Sequence, residues 1–274
     1  MYCALSGYGQ DGPYRDLVGH DINYIALGGI LSSTGTEEGG PTIPSVQIAD
    51  IGVGSLMCSI GILSAIINQR ATGEGSFIDV SMLDGVVFWT HLAFAECFSS
   101  GKAPKPGSEM LTGKFPCYNV YKTKDNRYIA VGALEGKFWA TLCTTIGRPD
   151  LIEHQYASGE KKNEVIKDLK SIFVKMDKDD WVDLFNDKDI CFAPVNTLDE
   201  VYNDAQLKYR RMFFDMDHLS DGKIRQIKLP LRYVNMSEKA DFAAPLYGEH
   251  TDCILKGLDY MDQDIKRLRE QGII

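Results

Sequence analysis

The sequence has no closely spaced pair of cysteines, no stripe of basic residues and no uninterrupted apolar run. Its seven cysteines are odd in number and widely spaced, which argues against a disulfide framework and favours reduced thiols in the cytoplasm. The net charge is -9, so neither nucleic acid nor an anionic membrane is expected as a partner. The N-terminus lacks a basic region followed by an apolar core, so a secretory signal is not predicted.

The longest apolar stretch, residues 51–67, contains several glycines and serines. It therefore predicts a packed interior helix rather than a lipid-facing span. The histidines other than His20 show no metal-ligand spacing with cysteines or carboxylates, so no metal site is predicted. The 274 residues, 44% of them hydrophobic, are enough for one large domain or two smaller ones.

The first hundred residues alternate between strand and helix patterns. Residues 1–5 resemble the tail of a strand without a sheet partner nearby. Residues 21–33 predict a helix opened by Asp21 and ended by Gly28 and Gly29 or by the following turn. Asp50 is expected at the N-terminus of a helix that extends to Gln69. A strand over residues 77–80 and a helix over residues 82–98 follow.

A change of composition at residues 99–114, to Gly, Pro, Lys and Ser, predicts a linker. The patterns beyond it predict a hairpin (118–123 and 128–132), helices (135–146, 163–176, 178–186), a strand (190–195) and a short helix (198–204). Such a mixture is typical of a small α+β domain. The last third predicts a strand over residues 227–233 and helices over residues 249–258 and 261–271.

Four features are candidates for function. Gly7, Gly9 and Gly12 formally match a dinucleotide fingerprint, but Pro13 follows at once and no apolar helix begins there, which favours a tight loop. His20 stands at a helix start, where a polar residue is common. Asp50 suits a helix N-cap, and the same position would orient a carboxylate that acts as nucleophile or base. Glu135 is most simply a carboxylate in the first turn of a helix.

Several separate motifs, in one order along the chain, resemble the family III CoA-transferase superfamily and within it the alpha-methylacyl-CoA racemases. They are Ser6-Gly7-Tyr8-Gly9-Gln10-Asp11-Gly12-Pro13, Gly19-His20-Asp21-Ile22-Asn23-Tyr24, Ala49-Asp50, Val131-Gly132-Ala133-Leu134-Glu135, Gly147-Arg148-Pro149-Asp150-Leu151, Ala193-Pro194-Val195-Asn196-Thr197 and Gly248-Glu249-His250-Thr251. The resemblance covers essentially the whole chain.

The resemblance implies roles for individual residues. His20 and Asp50 would be the two acid/base residues of a racemase, whereas in the transferases the residue matching Asp50 is the nucleophile. Glu135 would hydrogen-bond and orient His20. Asp21 and Tyr118 match positions that line the acyl-thioester site, and Met82 is a further substrate-binding candidate.

The implied fold is α/β, with a partial Rossmann-like large domain and a smaller α+β domain. Residues 1–98 and 206–274 would form the large domain, residues 99–117 the linker and residues 118–205 the small domain. Family members normally carry a further N-terminal segment that supplies most contacts to the CoA nucleotide, and this chain starts after it. The family also forms interlocked dimers that share each site between two subunits.

The implied chemistry is racemisation of 2-methylacyl-CoA thioesters. The α-proton of a thioester is weakly acidic, so its removal needs a base near the working pH, and inversion needs a second acid on the opposite face. No cofactor is required, because the CoA belongs to the substrate. Two alternatives stay open, namely CoA transfer between carboxylates through an acyl group on Asp50, and an inactive subunit that binds a full-length homologue.

Overall fold

The computed structural model of the chain describes residues 1–36, 38–232 and 243–274. They divide into two compact units, Met1–Val195 and Asn196–Ile274. The fold is α/β, as the sequence predicted. The predicted domain boundaries at residues 98, 117 and 205 stay predictions.

The N-terminal part of the first unit is built on two parallel strands. Strand β1 (Tyr2–Ser6) pairs in parallel with β4 (Phe77–Ser81), with Tyr2 opposite Phe77 and Ser6 opposite Ser81. The expectation that the first strand has no partner nearby was therefore wrong. The partner lies some seventy residues along the chain, and a strand pattern does not specify so distant a register.

Helices lie between and after these two strands. They are α1 (Asp21–Leu27), α2 (Ile30–Ser33), α3 (Ile48–Thr72), α4 (Met82–Trp89) and α5 (His91–Ser100), and the short strands β2 (Gly35–Thr36) and β3 (Gly40–Pro41) form a hairpin between α2 and α3. Of the two predicted ends of the helix that begins at Asp21, the one at Gly28 and Gly29 is confirmed: α1 ends at Leu27, and Gly29 adopts a φ of 90°, a conformation that glycine accepts without strain. The helix predicted over residues 82–98 is interrupted at Thr90.

Helix α3 begins as a π-helix, Ile48–Ser55, and continues as an α-helix, Leu56–Thr72, that ends at Gly73 in the left-handed conformation. Helix α3 is long and apolar enough to cross a membrane, judged by length and composition alone, and its most apolar window has a mean hydropathy of 1.9. Only 17% of that window is buried. The expected packed interior helix is therefore largely uncovered by the described part of the chain.

Residues beyond the linker form a second core within the same unit. Strands β5 (Tyr118–Lys122), β6 (Tyr128–Gly132) and β7 (Phe192–Pro194) make an antiparallel sheet in that order, and the predicted hairpin is confirmed. Helices α6 (Gly136–Thr145), α7 (Gly159–Phe173) and α8 (Lys178–Phe185) pack on it. Tyr121 stacks on Phe173 at 4.8 Å between ring centroids, and both are fully buried.

The second unit contains two short helices, a hairpin and two terminal helices. Their bounds are α9 (Leu198–Asn203), α10 (Ala205–Tyr209), β8 (Phe213–His218), β9 (Gly222–Ile227), α11 (Thr251–Gly257) and α12 (Asp262–Glu270). The strand predicted over residues 227–233 was misplaced, since β9 ends at Ile227 and residues 228–232 are not a strand. Tyr233 lies outside the described residues.

Candidate active site

Asp21 joins the two helix starts that carry His20 and Asp50. Its Oδ2 atom accepts hydrogen bonds from the backbone N–H of Ala49 at 2.6 Å and of Asp50 at 3.1 Å. These amides belong to the first turn of α3, where N–H groups lack partners within the helix. The Asp21 carboxylate thus fixes the start of α1 against the start of α3. Because His20 directly precedes Asp21, the same contact brings the backbone of His20 close to that of Asp50.

Asp50 is the third residue of α3, and Gln47 stands at the N-cap position. The expectation of Asp50 as N-cap was therefore wrong by three residues, because the helix starts earlier, at Ile48. Its carboxylate is exposed and still lies in the first turn, where the positive end of the helix dipole stabilises a negative charge.

Small residues bring α3 unusually close to α4. A Cβ atom on Gly52 would lie 2.6 Å from the ring of Trp89, and one on Gly54 would lie 3.3 Å from Sδ of Met82. On the facing helix, a Cβ on Gly85 would lie 2.0 Å from Cγ1 of Val53. The π-helical turns after Asp50 are therefore held by close contact on both sides. Met82 packs against the buried cluster that includes Ala49 and Val53, and its predicted role in substrate binding stays a prediction.

His20 occupies the N-cap position of α1 with an extended backbone. Its N–H donates to Oδ1 of Asn23 at 3.0 Å, and its imidazole is exposed. His20 thus lies exposed at the start of α1, and its role as an acid/base residue stays a prediction.

Tyr24 anchors the segment that precedes His20. Its buried hydroxyl donates to the carbonyl oxygen of Gly19 at 2.8 Å, and its ring packs edge-on against Tyr8 at 5.1 Å. Burial raises the pKa of Tyr24, and the nearby Tyr8 and the negative charge of Asp50 raise it further. Tyr24 thus remains a neutral donor at physiological pH. Sequence analysis did not assign it a role.

The glycine-rich loop after β1 packs against this tyrosine. A Cβ on Gly7 would lie 2.5 Å from the Tyr24 hydroxyl oxygen, and Gly9 and Gly12 have φ values of 94° and 81°. Asp79 of β4 holds the loop by accepting a hydrogen bond from Gln10 N–H at 2.8 Å. No helix starts at Gly12, so the glycines shape a tight loop, as expected.

Glu135 is the N-cap residue of α6, a helix that packs on the three-stranded sheet. Its side chain is exposed and makes no capping hydrogen bond. Its charge raises the pKa of Tyr156 and of Cys191, although burial is the larger cause for both. Within the described part of this single chain, no hydrogen bond joins Glu135 to His20. The predicted orienting contact is not formed here, and the role of Glu135 stays a prediction.

Tyr118 lines an open cleft of about 840 Å³ over the three-stranded sheet. Tyr128 and Phe192 contribute aromatic surface, while Thr36 and Leu111 border the cleft from the earlier part of the unit. The volume lies within the range of about 300–1,000 Å³ that is usual for small-molecule sites. Tyr118 is therefore placed where a ligand could reach it, although its binding role stays a prediction.

Metal-binding groups are not assembled in this arrangement. Among residues 1–36, 38–232 and 243–274, no cluster of three or more His, Cys, Asp or Glu side chains could hold an ion. All seven cysteines are free. The groups that the described structure places at the two adjoining helix starts are the imidazole of His20 and the carboxylate of Asp50.

Comparison with known proteins identifies the family. Residues 1–251 match the model of CoA-transferase family III. The chain is 34% identical to human alpha-methylacyl-CoA racemase over 277 residues, covering all of this chain and 71% of the racemase. It is also 31% identical to human succinyl-CoA:glutarate CoA-transferase, covering all of this chain and 63% of that enzyme.

The fold agrees with this result. A CAIB/BAIF family protein from Brucella suis superposes with a TM-score of 0.76 at 26% identity, over 94% of this chain and 68% of that protein. The racemase and the transferase named above each match this chain over its full length. The matches therefore specify the family and not the reaction. The chain belongs to CoA-transferase family III.

Proposed function

We propose that the protein racemises 2-methyl-branched acyl-CoA thioesters by moving the α-proton between His20 and Asp50. The observation that carries the proposal is the pairing of the two helix starts through Asp21, whose Oδ2 binds Ala49 N–H and Asp50 N–H. An imidazole and a carboxylate then lie at adjoining ends of α1 and α3. The similarity to human alpha-methylacyl-CoA racemase supports the same reaction.

The steps balance without a cofactor. Neutral His20 removes the α-proton of one enantiomer, and the electron pair of the C–H bond moves into the thioester to give an enolate. A protonated Asp50 then donates its proton to the opposite face of the α-carbon. The reverse direction exchanges the two roles. One proton leaves and one proton arrives, so no oxidant, reductant or metal is needed.

Exchange of the α-proton tests this proposal directly. The full-length protein is incubated with a 2-methylacyl-CoA in deuterium oxide, and deuterium at the α-carbon is followed by mass spectrometry. We expect incorporation together with inversion, and loss of inversion in both His20→Gln and Asp50→Asn. Absence of α-deuteration by the folded wild-type protein would refute the proposal.

CoA transfer through an acyl group on Asp50 is the second candidate, favoured by the similarity to human succinyl-CoA:glutarate CoA-transferase. In that case hydroxylamine would trap a modified Asp50, which peptide mass mapping detects, and His20→Ala would spare turnover. A racemase predicts the opposite, namely no trapped adduct and a strong loss in His20→Ala.

We further propose that Glu135 reaches His20 across a dimer interface, so that the partner subunit's Glu135 orients the imidazole. The absence of a Glu135–His20 hydrogen bond among the described residues of one chain supports this arrangement. Mixed dimers test it. When His20→Ala and Glu135→Ala proteins are refolded together, sites shared between subunits should restore about a quarter of wild-type activity, since half of the dimers carry one intact site. Sites confined to one chain would restore none.

Two apolar surfaces of the first unit are exposed, which supports the proposal that another polypeptide segment packs on them. Leu56, Ile60, Leu63 and Ile67 form an outward stripe on α3, and they are 54%, 55%, 60% and 69% exposed. Parallel sheets are normally covered on both faces, yet Tyr2 and Phe77 stack in the open at 5.5 Å. We propose that a second subunit or a further N-terminal segment covers these faces, which native mass spectrometry of the full-length protein would distinguish.

An inactive subunit bound to a full-length homologue is the remaining reading. The α-deuteration assay on the purified protein separates it from a racemase, and hydroxylamine trapping on Asp50 separates it from a transferase. We propose a cytoplasmic location, which the seven free cysteines support. Fractionation of cells with an antibody to the protein checks it.

A further inference from the structure

The second unit contains a cavity of about 390 Å³ whose described lining is Tyr209, Arg210, Arg211 and Arg232. Tyr209 and Arg210 come from the end of α10 and the turn after it, and Arg232 follows β9 at a distance of five residues. Three arginines thus line one cavity in a protein whose net charge is -9. An accumulation of positive charge against such a background is unusual unless an anion compensates it.

None of these three arginines pairs with a carboxylate of the described residues. Arginines in other parts of the chain do form such ion pairs, namely Arg15, Arg148, Arg225, Arg267 and Arg269. Two carboxylates close in sequence to α10 have other partners, since Asp204 accepts a hydrogen bond from Leu207 N–H and Asp215 pairs with Arg225. Within the described residues the three arginines therefore have no carboxylate partner, and an anionic ligand would supply the compensating charge.

Arg211 occupies a backbone position that favours glycine. Its φ is 51°, and Met212 N–H donates to Leu207 carbonyl at 3.1 Å, so that Arg211 stands just past the end of α10 in the left-handed turn that commonly closes a helix. A long side chain is disfavoured in this conformation. Retaining arginine where glycine is easier points to a use for the guanidinium group itself.

We infer that this cavity binds the phosphate groups of a nucleotide. Planar guanidinium groups match phosphate oxygens with two parallel hydrogen bonds, and three of them suit a diphosphate. Tyr209 is 80% exposed, and its ring offers a stacking surface for the base. The cavity volume is within the range of about 300–1,000 Å³ usual for small ligands. A nucleoside diphosphate fits this combination better than a bare inorganic anion.

Calorimetric titration of the full-length protein with ADP, pyrophosphate and adenosine tests the assignment. We expect saturable binding of ADP, weaker binding of pyrophosphate and none of adenosine. Arg211→Gly should fold at least as well as the wild type, because glycine accepts the backbone, and should weaken ADP binding about tenfold through loss of one charged contact. Tyr209→Leu should weaken ADP binding without changing pyrophosphate binding.

Two variants serve as matched controls. Asp259→Gly relieves the same type of backbone conformation, since its φ is 66°, and Arg70→Gln removes one positive charge away from the cavity. Both should bind ADP like the wild type. Unchanged ADP affinity in Arg211→Gly, or equal losses in all variants, would overturn the inference. Displacement of bound ADP by CoA would identify the nucleotide of an acyl-CoA as the source, and ADP retention would identify a free nucleotide.

Discussion

Replacing Asp21 by alanine should separate the two helix starts that the proposed reaction needs together. The change removes the acceptor for the N–H groups of Ala49 and Asp50, which lie 2.6 and 3.1 Å from Oδ2. A hydrogen bond to a charged acceptor contributes about 1.5–3 kcal/mol, and an unpaired buried amide costs about 1–3 kcal/mol. Ala49 is fully buried whereas Asp50 is exposed, so water replaces the lost partner of Asp50 only.

We therefore expect Asp21→Ala to lower the free energy of unfolding by about 2–3 kcal/mol. Asp21→Asn should lose less, because its amide oxygen still accepts a hydrogen bond. A displacement of Asp50 by about 1 Å should lower the rate of α-deuteration about a hundredfold. Urea denaturation and the deuterium assay measure the two effects, and KM should change less than kcat.

Asp16→Ala is the matched control, since its side chain is 97% exposed and pairs only with Arg15 at 3.8 Å. It should change neither stability nor exchange. A free energy of unfolding of Asp21→Ala within about 0.5 kcal/mol of the wild-type value, together with equally fast deuterium exchange, would refute this reasoning. The carboxylate would then not position Asp50. Loss of exchange without loss of stability would instead indicate direct contact between Asp21 and the substrate.

Three further predictions concern packing and titration. Gly85→Ala should cost about 1–3 kcal/mol and slow exchange, because its Cβ would lie 2.0 Å from a side chain of α3, whereas Gly61→Ala, with its nearest contact at 3.4 Å, should be neutral or stabilising in urea denaturation. Tyr24→Phe should lose about 1 kcal/mol and lower kcat, since one hydroxyl hydrogen bond holds the turn before the proposed base. Burial raises the pKa of Cys117 to about 11 and of Cys143 to about 12, so their thiols hold protons in the folded state that the unfolded chain releases near pH 9. The contribution of these two thiols to stability should consequently be full below pH 9 and be lost between pH 9 and about 12, a decline that Cys117→Ala with Cys143→Ala should reduce and that denaturation at several pH values would detect.

Local patterns were sufficient for several elements because their interactions are close in sequence. The hairpin over residues 118–132 is an example, since its alternating side chains and short turn specify the register from Tyr118 opposite Gly132. The start of α1 at Asp21 was predicted for the same reason. Both depend on contacts between residues that are few positions apart.

Other features depend on long-range packing and were missed. The π-helical opening of α3 forms where Gly52 faces Trp89 and Gly54 faces Met82, which lie 37 and 28 residues further along the chain. No local pattern indicates a π-helix. It shifted the helix start to Ile48 and made Asp50 its third residue. The role of Tyr24 was also missed, because its contacts with Gly7 and Tyr8 join residues 17 and 16 positions apart, and no local pattern marks such contacts.

The sequence by itself determined the family and the chemical groups. His20, Asp50 and Glu135 were found through motifs whose residue types and order are properties of the chain alone. Only the tertiary structure decided which of these groups adjoin. Asp21 fixes the starts of α1 and α3 together, whereas Glu135 lies on a separate core without a hydrogen bond to His20 in the described chain. The physical reason is that a motif specifies which groups are present, while backbone hydrogen bonds and close packing between distant segments set the distances between them.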